Sequence, residues 1–399
     1  MSRTGGDRVI AARRTAVNGL MIAFAFTLPY HVMRTAAAAG LRVHVLGDGA
    51  SRGLRRSRYC RSYHETKLGG DAEALLAEID ELVRREAIDI VFPSDDVSTR
   101  LLAALGDRLP MRCTPLPELA IFDLLNDKGN FTRFCRENGV RAPEFWLFDS
   151  AAALRQALDR GELALPITLK PTNRSGGVGV LHIREPGELG LIDAIDYQPI
   201  LAQRHISGES VSITLMCDRG RVTAHVAQQR DSEQFRVFAN TDLLATATRL
   251  AELTGYSGPA NFDAVISDED GLSYLVECNP RFWYSIYLVM LAGLNFVTLA
   301  LAPPAPGEIA TLDGAEFRLS LRKILTRPWQ ASRLDWKFLL YSLGDPIAFA
   351  LQRARSYDDS DVAVPVGQMT ARERIERPID RRKTRRRAAP APFAVGKIR

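Results

Sequence analysis

The sequence predicts an α/β domain with a parallel sheet, followed by an α+β region and a mostly helical C-terminal region. In the first third, buried apolar runs alternate with amphipathic helical patterns, which is typical of a parallel sheet covered on both faces. From about residue 126, segments of period two separated by turn residues predict antiparallel strands. A proline-rich break at 303–306 then precedes the helical region.

The first third predicts a β-α-β unit and a further helix and strand. The helix at 71–86 is the best supported, because Leu75, Ile79 and Leu82 recur at helical spacing. Gly40 is expected to end the helix before it. The predicted elements are, in order, a strand at 20–26, a helix at 30–39, a strand at 41–46, a helix at 71–86 and a strand at 88–92.

The next region predicts two groups of strands with three helices among them. Ser150 is expected to cap a helix, and Asp218-Arg219-Gly220 to form the turn between two strands. The predicted helices are 127–138, 150–160 and 243–253, and the predicted strands are 145–148, 167–170, 201–205, 209–217, 221–228, 261–266 and 273–277.

Charge is distributed unevenly along the 399 residues. The net charge is +5, but residues 372–399 contain eleven Lys/Arg and only three Asp/Glu, so the rest of the chain is slightly acidic. We therefore expect no nucleic-acid partner for the folded body. The basic run at 381–387 leaves RNA or anionic lipid open as partners. A disordered, solubilising end without a partner is the interpretation we favour.

The cysteines predict a reducing compartment. They are odd in number, scattered and without a C-x-x-C pair, which argues for a cytoplasmic protein and against a disulfide framework or a zinc site. Arg13-Arg14 before an uncharged stretch resembles a signal peptide. We favour a buried strand and helix there and expect no membrane span. The cysteines are Cys60, Cys113, Cys135, Cys217 and Cys278.

A lysine stands beside a glycine-rich segment. Lys170 ends a predicted strand, and Gly176, Gly177 and Gly179 follow it. Glycines let the backbone approach phosphate oxygens without a Cβ in the way. Neither a P-loop nor a G-x-G-x-x-G pattern after the first strand is present. The segment predicts polyphosphate binding, with a glycine-rich hairpin turn as the alternative.

Two carboxylates and an amide follow about a hundred residues later. Glu277 and Asn279 alternate on one predicted strand and so share a face, and Asp263 lies on the partner strand. Such hard oxygen donors suit Mg²⁺. Arg281 would then supply a guanidinium fork for a phosphoryl group or an acyl phosphate. The alternative is a solvated sheet face.

A competing motif is Gly49-Ala50-Ser51-Arg52-Gly53, which matches the G-x-S-x-G nucleophile elbow of serine hydrolases. That elbow requires a buried helix after the serine. The residues that follow are a basic run without a helical apolar face, so we disfavour a hydrolase that uses Ser51.

The order of these motifs resembles the ATP-grasp superfamily, closest to its carboxylate–amine ligase-like (carbamoyl-phosphate-synthase-like) branch. The resemblance covers about residues 40–299. It implies a Rossmann-like pre-ATP-grasp domain at 1–125, two ATP-grasp subdomains at 126–206 and 207–305, a helical appendage at 306–365 and a basic tail at 366–399. The motifs are Asn126-Asp127-Lys128, Leu169-Lys170-Pro171 with the loop at 175–180, the segment 203–209, Asp263, and Glu277-x-Asn279-Pro280-Arg281.

The resemblance implies a role for each motif residue toward ATP. Lys128 would contact the α-phosphate side and Lys170 the α- and β-phosphates, while Glu209 would bind the ribose. A mobile loop would cover the phosphates, and a hinge would bind adenine largely through backbone groups. The loop residues are Ser175, Gly176, Gly177 and Gly179, and the hinge residues are Gln203, Arg204, His205 and Ile206.

The resemblance likewise implies the metal ligands and the catalytic residues. Asp263, Glu277 and Asn279 would hold one or two Mg²⁺, for which Mn²⁺ can substitute. Arg281 would steady the γ-phosphate and the intermediate, and Lys170 would act with it. Two departures stand out: Arg204 and His205 replace an acidic residue often found in the hinge, and the acceptor region at 230–240 is unusual. Arg230 there is a candidate for binding a substrate carboxylate.

The implied activity is ligation of a small-molecule carboxylate to an amine through an acyl phosphate. A nucleotide-binding switch module without turnover is the alternative. The segments 57–59 and 93–96 are where we expect substrate contacts. The helical region and tail are candidates for homo-oligomerisation or partner docking.

Overall fold

The computed structural model describes residues 17–66, 72–174, 177–312 and 314–358, with side chains to 354. Ser175, Gly176 and the tail at 366–399 lie outside the described residues. The N-terminal part is a parallel sheet of order β3-β2-β1-β4. This confirms the predicted α/β class. Its elements are β1 (Asn18–Ala23), α1 (Thr27–Ala38), β2 (Arg42–Gly47), β3 (Cys60–Glu65), α2 (Ala72–Glu86), β4 (Ile90–Pro93), α3 (Asp96–Leu105) and α4 (Leu119–Asn126).

The sequence did not predict β3, because its residues Cys60–Glu65 are polar and half-buried at the sheet edge. The central strand β1 and the strand β4 at the other edge are apolar and almost fully buried, which is why the sequence predicted them.

The middle part is a four-stranded antiparallel sheet of order β5-β8-β6-β7. Ser150 caps its helix as predicted, accepting from the Ala153 N–H at 3.1 Å. Leu154 of that helix packs on Ile167 and Leu169 of the sheet. The elements are α5 (Lys128–Glu137), β5 (Phe145–Phe148), α6 (Ala151–Asp159), β6 (Ile167–Pro171), β7 (Leu181–Ile183) and β8 (Ile200–Arg204).

The largest sheet has six antiparallel strands in the order β13-β12-β9-β10-β11-β14. The predicted turn between β9 and β10 is confirmed: Arg219 and Gly220 have φ of +49° and +83°, a backbone that glycine tolerates best. The elements are β9 (Gly208–Asp218), β10 (Arg221–Arg230), β11 (Gln234–Phe238), α7 (Thr241–Thr254), β12 (Gly258–Ser267), β13 (Ser273–Asn279) and β14 (Ala315–Arg318).

The C-terminal region is helical except for β14, a strand that the sequence did not predict. β14 pairs with β11 and closes that edge of the six-stranded sheet. One apolar cluster joins the first sheet, one face of the six-stranded sheet and these helices, so the region is part of the core. The helices are α8 (Ile286–Ala292), α9 (Phe296–Leu301), α10 (Leu321–Thr326), α11 (Arg333–Leu343) and α12 (Pro346–Asp358).

Among the described residues, no helix is both long enough and apolar enough to cross a lipid bilayer.

Candidate functional site

The β12–β13 hairpin brings the predicted oxygen donors together. Asp263 pairs with Glu277, and Asn261 with Asn279, so all four side chains lie on one face of the sheet. The amides of Asn261 and Asn279 donate to the two oxygens of Asp263 at 3.1 and 3.3 Å. The cluster is therefore held in place by its own hydrogen bonds.

The two predicted phosphate lysines face these carboxylates. Lys128 begins α5, and its Nζ lies 3.3 Å from a Glu277 oxygen and 2.7 Å from the Arg174 carbonyl. Lys170 lies on β6 with only 4% of its surface exposed. Its charge acts on both Glu277 and Asp263. The structure thus assembles two cations and two anions in one cleft.

Burial and charge shift the pKa values in this cleft in opposite directions. Burial lowers the pKa of Lys170 to about 8, although Glu277 opposes the shift. Burial and the charge of Glu277 raise the pKa of Asp263 well above its usual range. Burial also opposes the ionisation of Glu277, but Lys128 and Lys170 outweigh it and lower the pKa of that carboxyl. Of the two carboxyl groups, Glu277 is therefore the one whose ionisation the surroundings favour.

Arg281 connects the hairpin to the first sheet. Its guanidinium forms an ion pair with Asp96 at the start of α3 and donates to Asn279 Oδ1 at 3.1 Å. A further bond to the Phe282 carbonyl at 2.9 Å fixes the side chain. This fork therefore lies beside the metal-type donors, as the sequence predicted, but it is already held by a carboxylate.

A chain of buried polar residues, which the sequence analysis missed, extends from the carboxylates. Asn261 Oδ1 accepts from Thr214 at 2.9 Å and from Gln228 at 3.5 Å, and Ser285 donates to Gln228 Oε1 at 3.2 Å. These residues come from three strands and one loop. Only the alternation of polar residues within the apolar strands β9 and β10 could have signalled them.

Arg230 stands at the far end of that chain. Its guanidinium lies over the Tyr284 ring, 4.6 Å from the centroid. Tyr284 in turn contacts His31 of α1 edge-on at 5.0 Å. Burial lowers the pKa of His31 well below its usual range, and the charges of Arg34 and Arg230 add to the effect. Arg230 thus faces a neutral, largely aromatic surface.

The glycine segment is anchored at its base. Gly177 and Gly179 have φ of +74° and +81°. The Tyr197 hydroxyl donates to the Gly179 carbonyl at 2.7 Å, and a Cβ on Gly179 would lie 3.0 Å from the Tyr197 ring. Arg174 packs over the same ring and pairs with Asp196 at 3.0 Å. Glycine at 179 is therefore required by both its φ and its neighbour.

Two backbone N–H groups of the hinge donate hydrogen bonds within the protein. Arg204 N–H donates to the Glu144 carbonyl at 2.8 Å and His205 N–H to the Pro166 carbonyl at 3.0 Å. The Gln203 side chain is buried and donates to Thr132 at 3.2 Å. Both N–H groups are therefore already engaged within the protein, and the adenine role of the hinge stays a prediction.

A cavity of about 530 Å³ borders the same hinge. Its walls include Arg204, His205 and Ile206, and neither lysines nor the hairpin carboxylates line it. It is therefore separate from the cleft that the lysines share with the hairpin carboxylates.

Glu209 is not brought to the carboxylate cluster. It pairs with Ile266, so it lies on the sheet face opposite Asp263. Its carboxylate forms an ion pair with Arg236 at 2.5 Å. Its ribose role stays a prediction.

The segments expected to contact substrate form hydrogen bonds within the protein. Asp95 caps α3 and accepts from the Phe24 and Ala25 N–H groups at 2.6 and 3.1 Å. Ser57 donates to Asp345 at 2.5 Å, and the Arg58 N–H to the same carboxylate at 3.2 Å. Asp95 and Ser57 therefore stabilise the fold.

The competing serine site is contradicted by the contacts of Ser51. Its buried Oγ bonds to the Asp48 carbonyl and the Tyr63 hydroxyl, at 3.0 and 2.9 Å. Its described hydrogen-bond partners include no histidine, which a hydrolase needs as a base.

One cluster of potential metal ligands lies away from the cleft. His44, His64 and Glu86 offer ligand atoms within 4.8 Å of one another, a proximity that the histidine spacing did not reveal. Ser62 bonds to both rings at 2.8 and 2.7 Å, and Arg85 approaches His64 Nδ1 at 2.9 Å. Hydrogen bonding with an adjacent arginine accounts for this cluster.

Comparison with known proteins identifies the fold. Residues 196–319 match the family described as ATP-grasp in the biosynthetic pathway with Ter operon. The chain resembles the L-amino acid ligase of Bacillus licheniformis, with a TM-score of 0.55 and 19% identity over 73% of this chain and 76% of that one. It also resembles N5-carboxyaminoimidazole synthetase of Staphylococcus aureus complexed with ADP, with a TM-score of 0.60 and 17% identity over 78% and 84% of the two chains.

A third structure gives the same result. The biotin carboxylase of Campylobacter jejuni, in a complex with a β,γ-ATP ligand, has a TM-score of 0.57 and 15% identity over 75% of this chain and 74% of that one. The chain therefore has the fold of these three enzymes, and the predicted resemblance to the ATP-grasp superfamily is confirmed for the matched residues 196–319.

Proposed function

We propose that this protein is an ATP- and Mg²⁺-dependent ligase that activates a carboxylate as an acyl phosphate and couples it to an amine. The observation that carries the proposal is the cleft in which Lys128 and Lys170 face Asp263 and Glu277. Cations and hard anions at this spacing suit a polyphosphate together with its divalent cation.

The donor set fits Mg²⁺. Asp263, Glu277 and Asn279 present carboxylate and amide oxygens from one rigid hairpin. The raised pKa of Asp263 shows that two anions are unfavourable there without a further positive charge. When bound, Mg²⁺ would supply charge neutralisation between these oxygens and the phosphates. One or two ions, and substitution by Mn²⁺, are part of the proposal.

ATP would lie between the regions 126–206 and 207–305. Lys128 and Lys170 would neutralise the phosphates, and the segment around Gly177 and Gly179 would cover them. Because two hinge N–H groups are used internally, adenine would depend on carbonyl groups and on Ile206. This predicts weaker discrimination between ATP and other purine nucleotides.

The chemistry needs positioning and neutralisation by the protein. A substrate carboxylate oxygen attacks the γ-phosphorus, the bond to the β,γ-bridging oxygen breaks, and ADP leaves. The amine then attacks the acyl carbon, loses a proton and displaces inorganic phosphate. Arg281 would steady the transferring phosphoryl group, and Arg230 would hold the acid. Closure of the glycine segment, anchored on Tyr197, would keep water from the acyl phosphate.

Release of ADP and phosphate from Mg²⁺·ATP by the purified protein tests the proposal. The reaction would be screened with pools of amino acids and small carboxylic acids. We expect one pool to stimulate release of both products, with an amide in the product mixture.

The control is a pair of glutamate substitutions. Glu277→Ala should abolish the stimulation, and Glu81→Ala, which removes an exposed carboxylate on α2, should leave it intact. ATP binding without stimulated release by any pool would favour a nucleotide-binding switch module. Absence of ATP binding would overturn the proposal altogether.

A further inference from the structure

A large apolar surface is exposed on the C-terminal helices. Trp329 is 77% exposed and Leu340 is 67% exposed, although both are bulky side chains. Exposed apolar patches of this kind mark interaction sites. We call this the apolar surface, and its members are Leu325, Trp329, Trp336, Leu340, Leu343, Ile347 and Leu351.

These side chains are arranged on common helix faces. Trp336, Leu340 and Leu343 recur at i, i+4 and i+7 on α11, while Phe338 and Leu339 of the same helix are buried in the core. Ile347 and Leu351 recur at i and i+4 on α12, which packs against α11. Each helix therefore has one apolar face toward the core and a second toward solvent.

Within residues 319–354, which carry the apolar surface, the exposed charges have a single sign. Residues 319–354, all of which the structure describes, contain six basic residues, and every one is exposed. Lys323 pairs with Glu233 at 2.7 Å, and the other five form no ion pair with a described residue. The basic residues are Arg322, Lys323, Arg327, Arg333, Lys337 and Arg353.

The acidic residues of the same stretch are buried. Asp335 and Asp345 are each only 2% exposed. Asp335 accepts from the Arg318 and Ser332 N–H groups, and Asp345 from Ser57 and Arg58. The charged side chains that these helices expose to solvent are therefore all cationic. The sequence continues this composition, with eleven Lys/Arg against three Asp/Glu in 372–399.

We propose that the apolar surface binds the headgroup region of an anionic lipid membrane, with α11 and α12 lying in the plane of the interface. Tryptophan and leucine beside lysine and arginine form the composition that such interfacial helices use. A second copy of this chain fits less well, because pairing two such surfaces would bring like charges together. The proposal is independent of the ligase activity.

The full-length protein would be mixed with vesicles of phosphatidylcholine and phosphatidylglycerol in equal amounts, and with vesicles of phosphatidylcholine alone. We expect sedimentation with the anionic vesicles, a blue shift of tryptophan fluorescence, and loss of both at high salt. Trp329→Phe combined with Trp336→Phe should remove the blue shift. This combination assigns the signal, because Trp283 is buried and Trp146, the remaining tryptophan, lies half-buried in the cavity at the hinge.

Substitutions separate the apolar and electrostatic contributions. Leu340→Gln with Leu343→Gln should weaken vesicle binding about tenfold or more. Lys337→Ala should weaken it about fivefold. Leu272→Gln, at an exposed leucine between β12 and β13, is the matched control and should bind like the wild type.

Three outcomes would overturn the proposal. The first is equal binding to neutral and anionic vesicles. The second is no vesicle binding together with a dimer, in sedimentation velocity, that Leu340→Gln with Leu343→Gln dissociates. The third is tryptophan emission that is already blue-shifted without vesicles and unchanged by them, which would mean that another part of the chain covers the surface.

Discussion

The two walls of the cleft hold opposite charges by different means. On the hairpin wall, Asp263 and Asn279 are bonded to each other, so the oxygen donors are fixed before any ligand arrives. On the opposite wall, Lys170 is buried on β6 at the base of the glycine segment. Under the proposed function, the hairpin is preorganised for a cation, whereas the lysine wall would need the glycine segment to complete a phosphate site.

The comparison also concerns protonation. Burial lowers the pKa of Lys170 and raises that of Asp263, so it disfavours the charged form of one residue on each wall. The other residue of each wall takes part in the 3.3 Å ion pair between Lys128 and Glu277. A ligand that carries phosphates and a divalent cation would favour the charged forms of Lys170 and Asp263. Such a ligand would therefore complete the charge balance on both walls.

Removing the charge of the lysine wall should have the largest effect. Lys170→Met should lower turnover about 100-fold or more, because a buried cation at the phosphates cannot be replaced by solvent. Steady-state ADP release and ATP titration measure the change. Retention of wild-type ATP affinity would show that the phosphates do not reach Lys170.

Replacing the carboxyl of Asp263 on the hairpin wall should lower turnover but raise stability. Asp263→Asn should lower turnover about 100-fold, because a donor oxygen is lost. It should also raise the Tm of the ligand-free protein, because the variant removes a carboxyl whose ionisation is opposed by Glu277. Thermal denaturation without nucleotide checks this, and a lower Tm would contradict the account of the pair.

Changing Arg230 should affect the acceptor alone. Arg230→Lys keeps the charge but loses the planar fork, so the KM for the acid should rise about tenfold while the KM for ATP stays unchanged. Lys323→Arg, at an exposed position, is a matched conservative control. Equal increases in both KM values would place Arg230 outside the acid pocket.

The pH dependence of ATP binding should have a smaller effect, and its sign follows from Lys170. With a pKa of about 8, Lys170 is charged at pH 7 and mostly neutral at pH 9, so ATP affinity should fall severalfold across this interval. Lys170→Arg should remove the dependence, because arginine keeps its proton. Calorimetric titration at several pH values measures it.

Stability should respond to the same proton with the opposite sign. The unfolded chain keeps the lysine proton up to about its ordinary pKa of 10.5, so between pH 8 and 10.5 it binds more protons than the folded protein. The contribution of Lys170 to the free energy of unfolding therefore rises with pH in that window. A falling contribution there would contradict the lowered pKa.

The sequence predicted most strands and the residues that the hairpin brings together. Half-buried strands alternate apolar and polar residues, fully buried strands are apolar runs, and the order of the motifs can be read directly along the chain. Glu277, Asn279 and Asp263 needed only the strand period and one turn to be placed together. The features that the sequence did not predict depend on contacts between residues that are distant in sequence. Ser285 reaches Gln228 across the sheet, and the pattern within β10 does not contain that information. The sequence also did not predict on which face of the sheet Glu209 lies, since this depends on the register between β9 and β12.

The strand β14 has a consequence for the order in which the molecule is made. A ribosome finishes the β12–β13 hairpin before it makes β14, α11 or Asp345. Yet Phe235 of β11 packs on Phe317 of β14, with ring centroids 5.2 Å apart. Until those residues emerge, the nascent chain exposes the apolar face of β11 and an unpaired sheet edge, which are targets for chaperones and for aggregation. Completion of the six-stranded sheet that carries the β12–β13 hairpin is therefore a late event of synthesis.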